Sequence, residues 1–236
     1  MITPNFANGK DQEQTGYCGI TKEINEDAIK YLTSITSKDH FIIMPVSNSG
    51  YGIGEKDTFC DENSPLKPIS LYGKTKVESE KMIMERENSI SFRLATVFGV
   101  SKERMRTDLM VNNFTYNAFK NLFFKVYEPN FRRNFVHISD IADAFLFSMD
   151  LFTKLKGNIY NLGLNDANIT KIELCEKIKK FIPQFKFEIS YDEKDPDQRD
   201  YFVSNEKLKK AGFEAKHSLD KGIQELIKYY RENLIN

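Results

Sequence analysis

The chain has 236 residues, and Lys plus Arg balance Asp plus Glu at 34 each, so its formal charge is zero. A length of this order suits one large or two modest domains, at about 100–200 residues each, and no basic stripe interleaved with aromatics points to nucleic acid as a partner. Three scattered cysteines, Cys18, Cys60 and Cys175, form no Cys-x-x-Cys pair. Neither a disulfide framework nor a thiolate metal site is read from them, and a reducing cytoplasm is the expected location. The longest apolar runs, such as residues 41–46, fall far short of the ~18 residues a membrane span needs, so no membrane partner is expected.

Taken in chain order, Ile24, Ala28, Tyr31, Leu32 and Ile35 recur at helical spacing, and Phe41 to Val46 reads as a short strand apolar on both faces. Leu71 to Glu85 reads as a helix that tolerates Gly73 near its start. Ile90 to Val97 follows as a strand ending at Phe98-Gly99. Asp108 to Phe124 continues as helix. Ser139 is the expected N-cap of the next helix, with Asp140 and Asp143 in its first turn, and Asn158 to Leu162 is the strand that follows. Helices alternating with apolar strands define an α/β chain, βαβαβ in outline.

The last third changes character. Thr170-x-x-Glu173 is a capping box opening a helix that Pro183 ends, Phe185 to Tyr191 alternates as a strand, Asp192 to Asp200 is a charged loop, and Ser218 starts a final helix. The expected organisation is a partial Rossmann-type parallel sheet flanked by helices over residues 1–165, with excursions to the substrate side. A smaller mixed α/β substrate domain is expected over 166–236. No internal repeat or Gly/Ser linker separates the two.

Tyr72 and Lys76 sit one helical turn apart, and Ser47 ends the strand upstream. Tyr-x-x-x-Lys alone carries little weight, because Tyr116 and Lys120 repeat it in a chain of eleven tyrosines. Context separates the two. Tyr72 opens a helix after the Pro-containing stretch 62–68, and Ser47 leaves a buried strand at its carboxyl end, where open α/β sheets bind ligands. A phenol with a reference pKa of ~10 is a poor base at neutral pH, and a lysine ammonium one turn away favours its phenolate. A hydroxyl at position 47 can hold a substrate hydroxyl or carbonyl oxygen beside it.

Ser47-Asn-Ser-Gly-Tyr-Gly52, Glu62-Asn-Ser-Pro-Leu-Lys-Pro68, Tyr72-Gly-Lys-Thr-Lys76 with Glu80, Arg93-Leu-Ala-Thr-Val-Phe-Gly99 and Arg133-Asn-Phe-Val-His-Ile-Ser-Asp140 stand in one order. On these motifs the chain resembles the extended short-chain dehydrogenase/reductases, in particular the nucleotide-sugar epimerases and dehydratases. The resemblance implies an NAD-dependent enzyme, with NADP as the alternative, acting on a nucleotide-diphosphate sugar through a transient keto-sugar. Tyr72, Lys76 and Ser47 are then the catalytic set, and Lys76 also bonds the nicotinamide ribose, with Asn25 in the place of an asparagine near the cofactor. Ser47, Ser49, Thr96, Asn112, Asn113, Arg133 and Arg199 are the implied substrate contacts, the two arginines meeting the pyrophosphate as guanidinium forks. Thr96 stands where the 4-epimerases carry Asn. His137 reads as a packed strand histidine, and no histidine has metal-ligand spacing.

Two departures from the family pattern narrow the expectation. Dehydratases carry Thr-Asp-Glu where this chain has Ser47, Asn48 and Ser49, so the acid and base for eliminating water are missing, and epimerisation or keto-reduction is preferred. A Gly-rich phosphate loop after a strand, with an acidic residue ~20 positions on, is not found either. The resemblance implies that the first four strands of the cofactor domain are missing and that the strand over 41–46 becomes a bare sheet edge. Three readings follow: the carboxyl-terminal two-thirds of an epimerase, a non-catalytic nucleotide-sugar-binding relative, or a dimerisation module. Helices 24–36 and 71–86 match the pair that forms a homodimer's four-helix interface in this family.

Overall fold

A computed structural model describes residues 17–55, 58–191 and 199–234. A nearly continuous helix opens the described chain: α1 (Tyr17–Lys22), a π-helical turn (Glu23–Asp27) and α2 (Ala28–Ile35). Strand β1 (Ile42–Ser47) passes into a 3-10 turn, Asn48–Tyr51, and a two-residue strand, β2 (Phe59–Cys60). Helix α3 (Leu71–Met84) follows, started by Ser70, whose side chain accepts a hydrogen bond from the Gly73 amide at 3.0 Å. Then come β3 (Ser89–Leu94), β4 (Thr96–Phe98), α4 (Met110–Lys120), β5 (Phe123–Tyr127) and β6 (Arg132–His137). The remainder is α5 (Ile138–Asp150), α6 (Phe152–Leu155), β7 (Asn158–Leu162), β8 (Asn168–Thr170) and α7 (Lys171–Phe181). Strands β9 (Lys186–Ser190) and β10 (Phe202–Val203) and helices α8 (Glu206–Ala211) and α9 (Leu219–Leu234) complete it.

The central sheet is parallel, in the order β1-β3-β7, with Val46 opposite Arg93 and Phe92 opposite Tyr160. Strand periodicity divides its faces. Met44 and Val46 pack with Ile83 of α3 and Ile29 of α2, whereas Ile90, Phe92, Tyr160 and Leu162 form a core with Ile141 and Ala144 of α5. Helices therefore cover both faces, which is a Rossmann-like arrangement. Ile90 and Phe92 are completely buried, and each such side chain contributes about 1.5–3 kcal/mol. Strand β1 pairs only with β3 among the described residues, as the expected edge strand would. Only one face of it is buried; Pro45 points outward, a residue that sheet edges tolerate.

Three sequence expectations are corrected. The strand expected over 90–97 is two strands: β3 pairs with β1 and β7, while β4 joins a second sheet, β4-β6-β8. Between them the Ala95 amide donates to Leu162 O at 2.9 Å, so the chain turns from one sheet to the other. The helix expected to reach Phe124 stops at Lys120; Leu122 takes a positive φ of 54°, and β5 runs on to pair in parallel with β9. Helix α5 is capped by His137 and not by Ser139, because the His137 ring Nδ1 accepts from the Ser139 amide at 3.2 Å.

The capping box of Thr170 and Glu173 forms as expected. Beyond it, α4, α7 and α9 pack over the second and third sheets in the largest core, which includes Phe98, Val111, Phe135, Leu174 and Leu226. Residues on both sides of position 165 contribute to it. Gly222 permits the close approach of α9, since a Cβ there would lie 2.3 Å from the Phe98 ring.

Candidate active site

Ser47 ends β1 at its carboxyl end, and its Oγ accepts the Ser49 amide at 3.1 Å, the N-cap bond of the 3-10 turn. That bond occupies an acceptor position of the hydroxyl and leaves its proton free to point elsewhere. The Ser47 side chain neighbours the phenol of Tyr72 and favours its ionised form. Gly52 closes the turn at φ 66°, and a Cβ there would collide with Lys67 O at 2.0 Å, so the geometry seating Ser47 requires glycine.

Tyr72 and Lys76 lie on one face of α3, with the Lys76 Nζ 5.9 Å from the centre of the Tyr72 ring. Lys76 makes no hydrogen bond or ion pair among the described residues, and burial lowers its pKa. The phenol is displaced upward. Burial raises it, Arg199 and the Ser47 side chain oppose, Tyr201 adds to the rise, and Arg106 opposes. Burial outweighs these cations, the reverse of the depression expected from Lys76.

The remaining predicted residues fall into two groups. The charge of Arg199 acts on the phenol, and Arg133, which is 1% exposed, lies 5.7 Å from the centre of the Tyr201 ring. Arg199 is anchored through its neighbour: Asp200 accepts the Arg132 amide at 2.9 Å and the Arg132 Nε at 3.1 Å. Ser49 is buried beside Ser47, with its hydroxyl unpaired. The Asn25 backbone carbonyl accepts from Ser79 Oγ on α3, which sets Asn25 against that helix a turn beyond Lys76. Thr96 opens β4 opposite Phe135.

Asn112 and Asn113 have other partners. The Asn112 amide is buried and spent on the backbone, accepting from Gly99 N and donating to Gly99 O and Arg106 O at 2.9–3.1 Å. Asn113 donates to Thr107 O at 3.0 Å. Together they hold the loop that carries Arg106, whose guanidinium forks onto Asp108 at 2.6 and 2.7 Å. Sequence reading missed Arg106 and Tyr201 at the phenol. Arg106 lies in a charged loop with no motif, whereas Tyr201 stands two residues past Arg199 and was within reach.

Parallel strands under helices on both faces, with a hydroxyl pair at a strand's carboxyl end, define a Rossmann-like protein of the short-chain dehydrogenase/reductase type. The family model described as "NAD dependent epimerase/dehydratase family" matches residues 23–163. The chain belongs to that family. It is 28% identical over 207 residues to an uncharacterised protein of Methanocaldococcus jannaschii, an alignment covering 81% of this chain and 59% of that one. A putative UDP-glucose 4-epimerase of the same organism is 26% identical over 199 residues, covering 81% of this chain and 63% of that protein. The chain thus spans about three-fifths of the length of each. The solved UDP-N-acetylglucosamine 4-epimerase of Methanobrevibacter ruminantium superposes with a TM-score of 0.79 at 18% identity, covering 96% of this chain and 74% of that one, which establishes the shared fold. No helix among the described residues is long and apolar enough to cross a membrane.

Proposed function

We propose that the chain carries the proton-transfer half of an NAD-dependent enzyme that epimerises, or reduces as a keto-sugar, a nucleotide-diphosphate sugar. The observation that carries this reading is the convergence of Ser47, at the end of β1, on the phenol of Tyr72, with the Lys76 ammonium 5.9 Å from the centre of the same ring. Lys76 fits a nicotinamide ribose: its ammonium has no other partner among the described residues and keeps its donors for ribose hydroxyls. NAD or NADP, when bound, supplies the exchange of hydride with the sugar carbon. Ser47 holds the reacting sugar oxygen and Tyr72 exchanges its proton. A phenol displaced upward is the proton donor at neutral pH, as a keto oxygen being reduced requires, and Arg199 and Arg106 favour the phenolate that the oxidation half needs.

Ser47, Ser49, Thr96, Arg133 and Arg199 are the proposed substrate contacts, the arginines facing the diphosphate. Asn48 and Ser49 cannot ionise as an acid/base pair, which disfavours dehydration. Residues 1–165 act as the dinucleotide side and 166–236 as the substrate side. A cytoplasmic location fits the unpaired, buried Cys60 and Cys175.

A homodimer through helices 24–36 and 71–86 is part of this reading. Ile20, Ile24, Tyr31 and Ile35 are 45–66% exposed along α1, the π-helical turn and α2, an apolar stripe suited to a second copy. A dimerisation or binding module without catalysis is the competing reading. Calorimetric titration with NAD and with UDP-sugars separates them. Affinity for both is expected; affinity for sugar alone selects the binding module, and affinity for neither removes both pocket readings.

A further inference from the structure

One buried guanidinium touches both carriers of the site. Arg93 on β3 grips Glu80 of α3 by a double fork, with Nη2 to Oε1 at 2.7 Å and Nε to Oε2 at 3.0 Å, both side chains being 5% exposed. Its Nη1 also donates to the Tyr51 hydroxyl at 3.0 Å and to Glu62 O at 3.2 Å. Tyr51 is the last residue of the turn capped by Ser47, and its hydroxyl approaches Asn161 Oδ1 at 2.7 Å and Asp61 O at 2.9 Å. Glu80 follows Tyr72 and Lys76 at the same four-residue spacing, so all three share one stripe of α3. Ser91 donates to Glu80 as well, at 3.1 Å. The crevice beneath Ser47 and Lys76 is lined by Val46, Leu66, Glu80 and Arg93.

We propose that Arg93 is a positioning residue: by tying Glu80 and Tyr51 with one planar fork, it sets the register between α3 and the Ser47 turn and so the meeting of the Tyr72 and Ser47 hydroxyls. A fork is required because the two targets lie on different elements, and a lysine ammonium cannot present the same fixed pair of edges. Buried charge pairs are not needed for stability as such; well-packed apolar replacements of both partners are commonly neutral or stabilising. A charged fork buried beneath the site therefore asks for a geometric reason. This inference rests on the pairing of Ser47 with Tyr72 proposed above.

The test uses the whole chain with ring-labelled tyrosine, the Tyr72 signal being assigned by its loss in Tyr72→Phe. Ser47→Ala, Arg93→Lys and the paired Glu80→Met/Arg93→Met variant are compared with the parent in thermal melts and in pH titration of Tyr72. The paired variant is expected to melt no lower than the parent, yet to titrate higher by about one pH unit, as Ser47→Ala does, because the hydroxyl partner is lost. Arg93→Lys should move the titration in the same direction. A folded paired variant in which Tyr72 titrates as in the parent overturns the positioning role. If Ser47→Ala itself moves nothing, the pairing of Ser47 with Tyr72 fails, and both readings fall with it. If Ser47→Ala moves the signal and the paired variant does not, only the role of Arg93 falls. In turnover of a nucleotide sugar, the paired variant should lose about 100-fold in kcat with KM held; full kcat in that variant also overturns it.

Discussion

Tyr72–Lys76 and Tyr116–Lys120 have the same spacing on two helices of one chain, and their surroundings share almost nothing. Lys120 donates directly to the Tyr116 hydroxyl at 2.9 Å on an exposed helix face, while the ring rests edge-on against Tyr230, 5.5 Å away. Lys76 makes no such bond; it lies beside the Tyr72 ring and leaves the phenol to Ser47. The exposed pair turns its lysine onto its own phenol, in contact with water. In the buried pair the Lys76 ammonium keeps its donors, and the Tyr72 phenol lies where Ser47 and the charges of Arg199 and Arg106 all favour its ionised form against burial.

The largest break in this comparison should come from removing one oxygen. In a preparation that turns over a nucleotide sugar, Tyr72→Phe is expected to lower kcat by about 10²–10⁴-fold, the usual worth of a positioned acid–base group. Tyr116→Phe, assayed beside it, should leave kcat where it was. Equal losses in the two would mean that spacing, and not surroundings, makes the site.

Next in size is the floor beneath the buried pair. Glu80→Ala leaves Arg93 charged and buried without its main partner, and about 3–5 kcal/mol of unfolding free energy should be lost in denaturant titration. The direction of the Arg93 shift supports this: burial alone would lower its pKa, yet the Glu80 hydrogen bond and the Tyr51 and Glu80 charges hold it above the ordinary value. Among the described residues no comparable ion pair lies beneath Tyr116, where Asn117 bonds to Asn113 and Asn121 instead.

A smaller effect appears in the pH dependence of stability. Burial raises the Tyr72 phenol, so the folded chain holds its proton longer than the unfolded chain does. The corresponding stability is complete below the ordinary tyrosine value of ~10 and is lost as pH rises toward the folded value, at about 1.4 kcal/mol per pH unit in that window. Lys76 has the opposite sign. Its lowered pKa means that burying the ammonium costs stability at neutral pH, and stability recovers as pH rises through the folded value toward the ordinary lysine range. Lys76→Met should therefore stabilise the chain near neutrality and lose that advantage at alkaline pH. Tyr72→Phe should flatten the falling alkaline limb. Denaturant midpoints measured across the alkaline range decide both, and a Lys76→Met variant less stable at neutral pH would show that the ammonium has a compensating partner.

Much of this was written locally. Ser47, Tyr72 and Lys76 were legible because a strand end, a Pro-containing loop and a helix start are all short-range signals, and Glu80 completes their stripe at the same spacing. The function of Glu80 was not legible, since it depends on Arg93, a residue brought opposite by parallel pairing. The same limit explains β5. Phe123 to Tyr127 continues an amphipathic pattern from α4, and only its partner β9, far along the chain, makes it a strand. Arg106 was hidden for a further reason: its aim is set by Asp108 and by the buried Asn112 amide, a loop geometry with no periodicity to read.

The smallest predicted effect bears on Tyr116 itself. Tyr116→Phe removes one exposed hydrogen bond to a flexible lysine and keeps the ring contact with Tyr230, so unfolding free energy should change by about 0.5 kcal/mol or less. A helix-surface pair pays the entropy of fixing a lysine side chain and gains little beyond what water already supplied. If Tyr116→Phe instead cost several kcal/mol, its hydroxyl would have to serve a desolvated partner, and the contrast drawn between a self-satisfied pair and an open one would lose its physical basis.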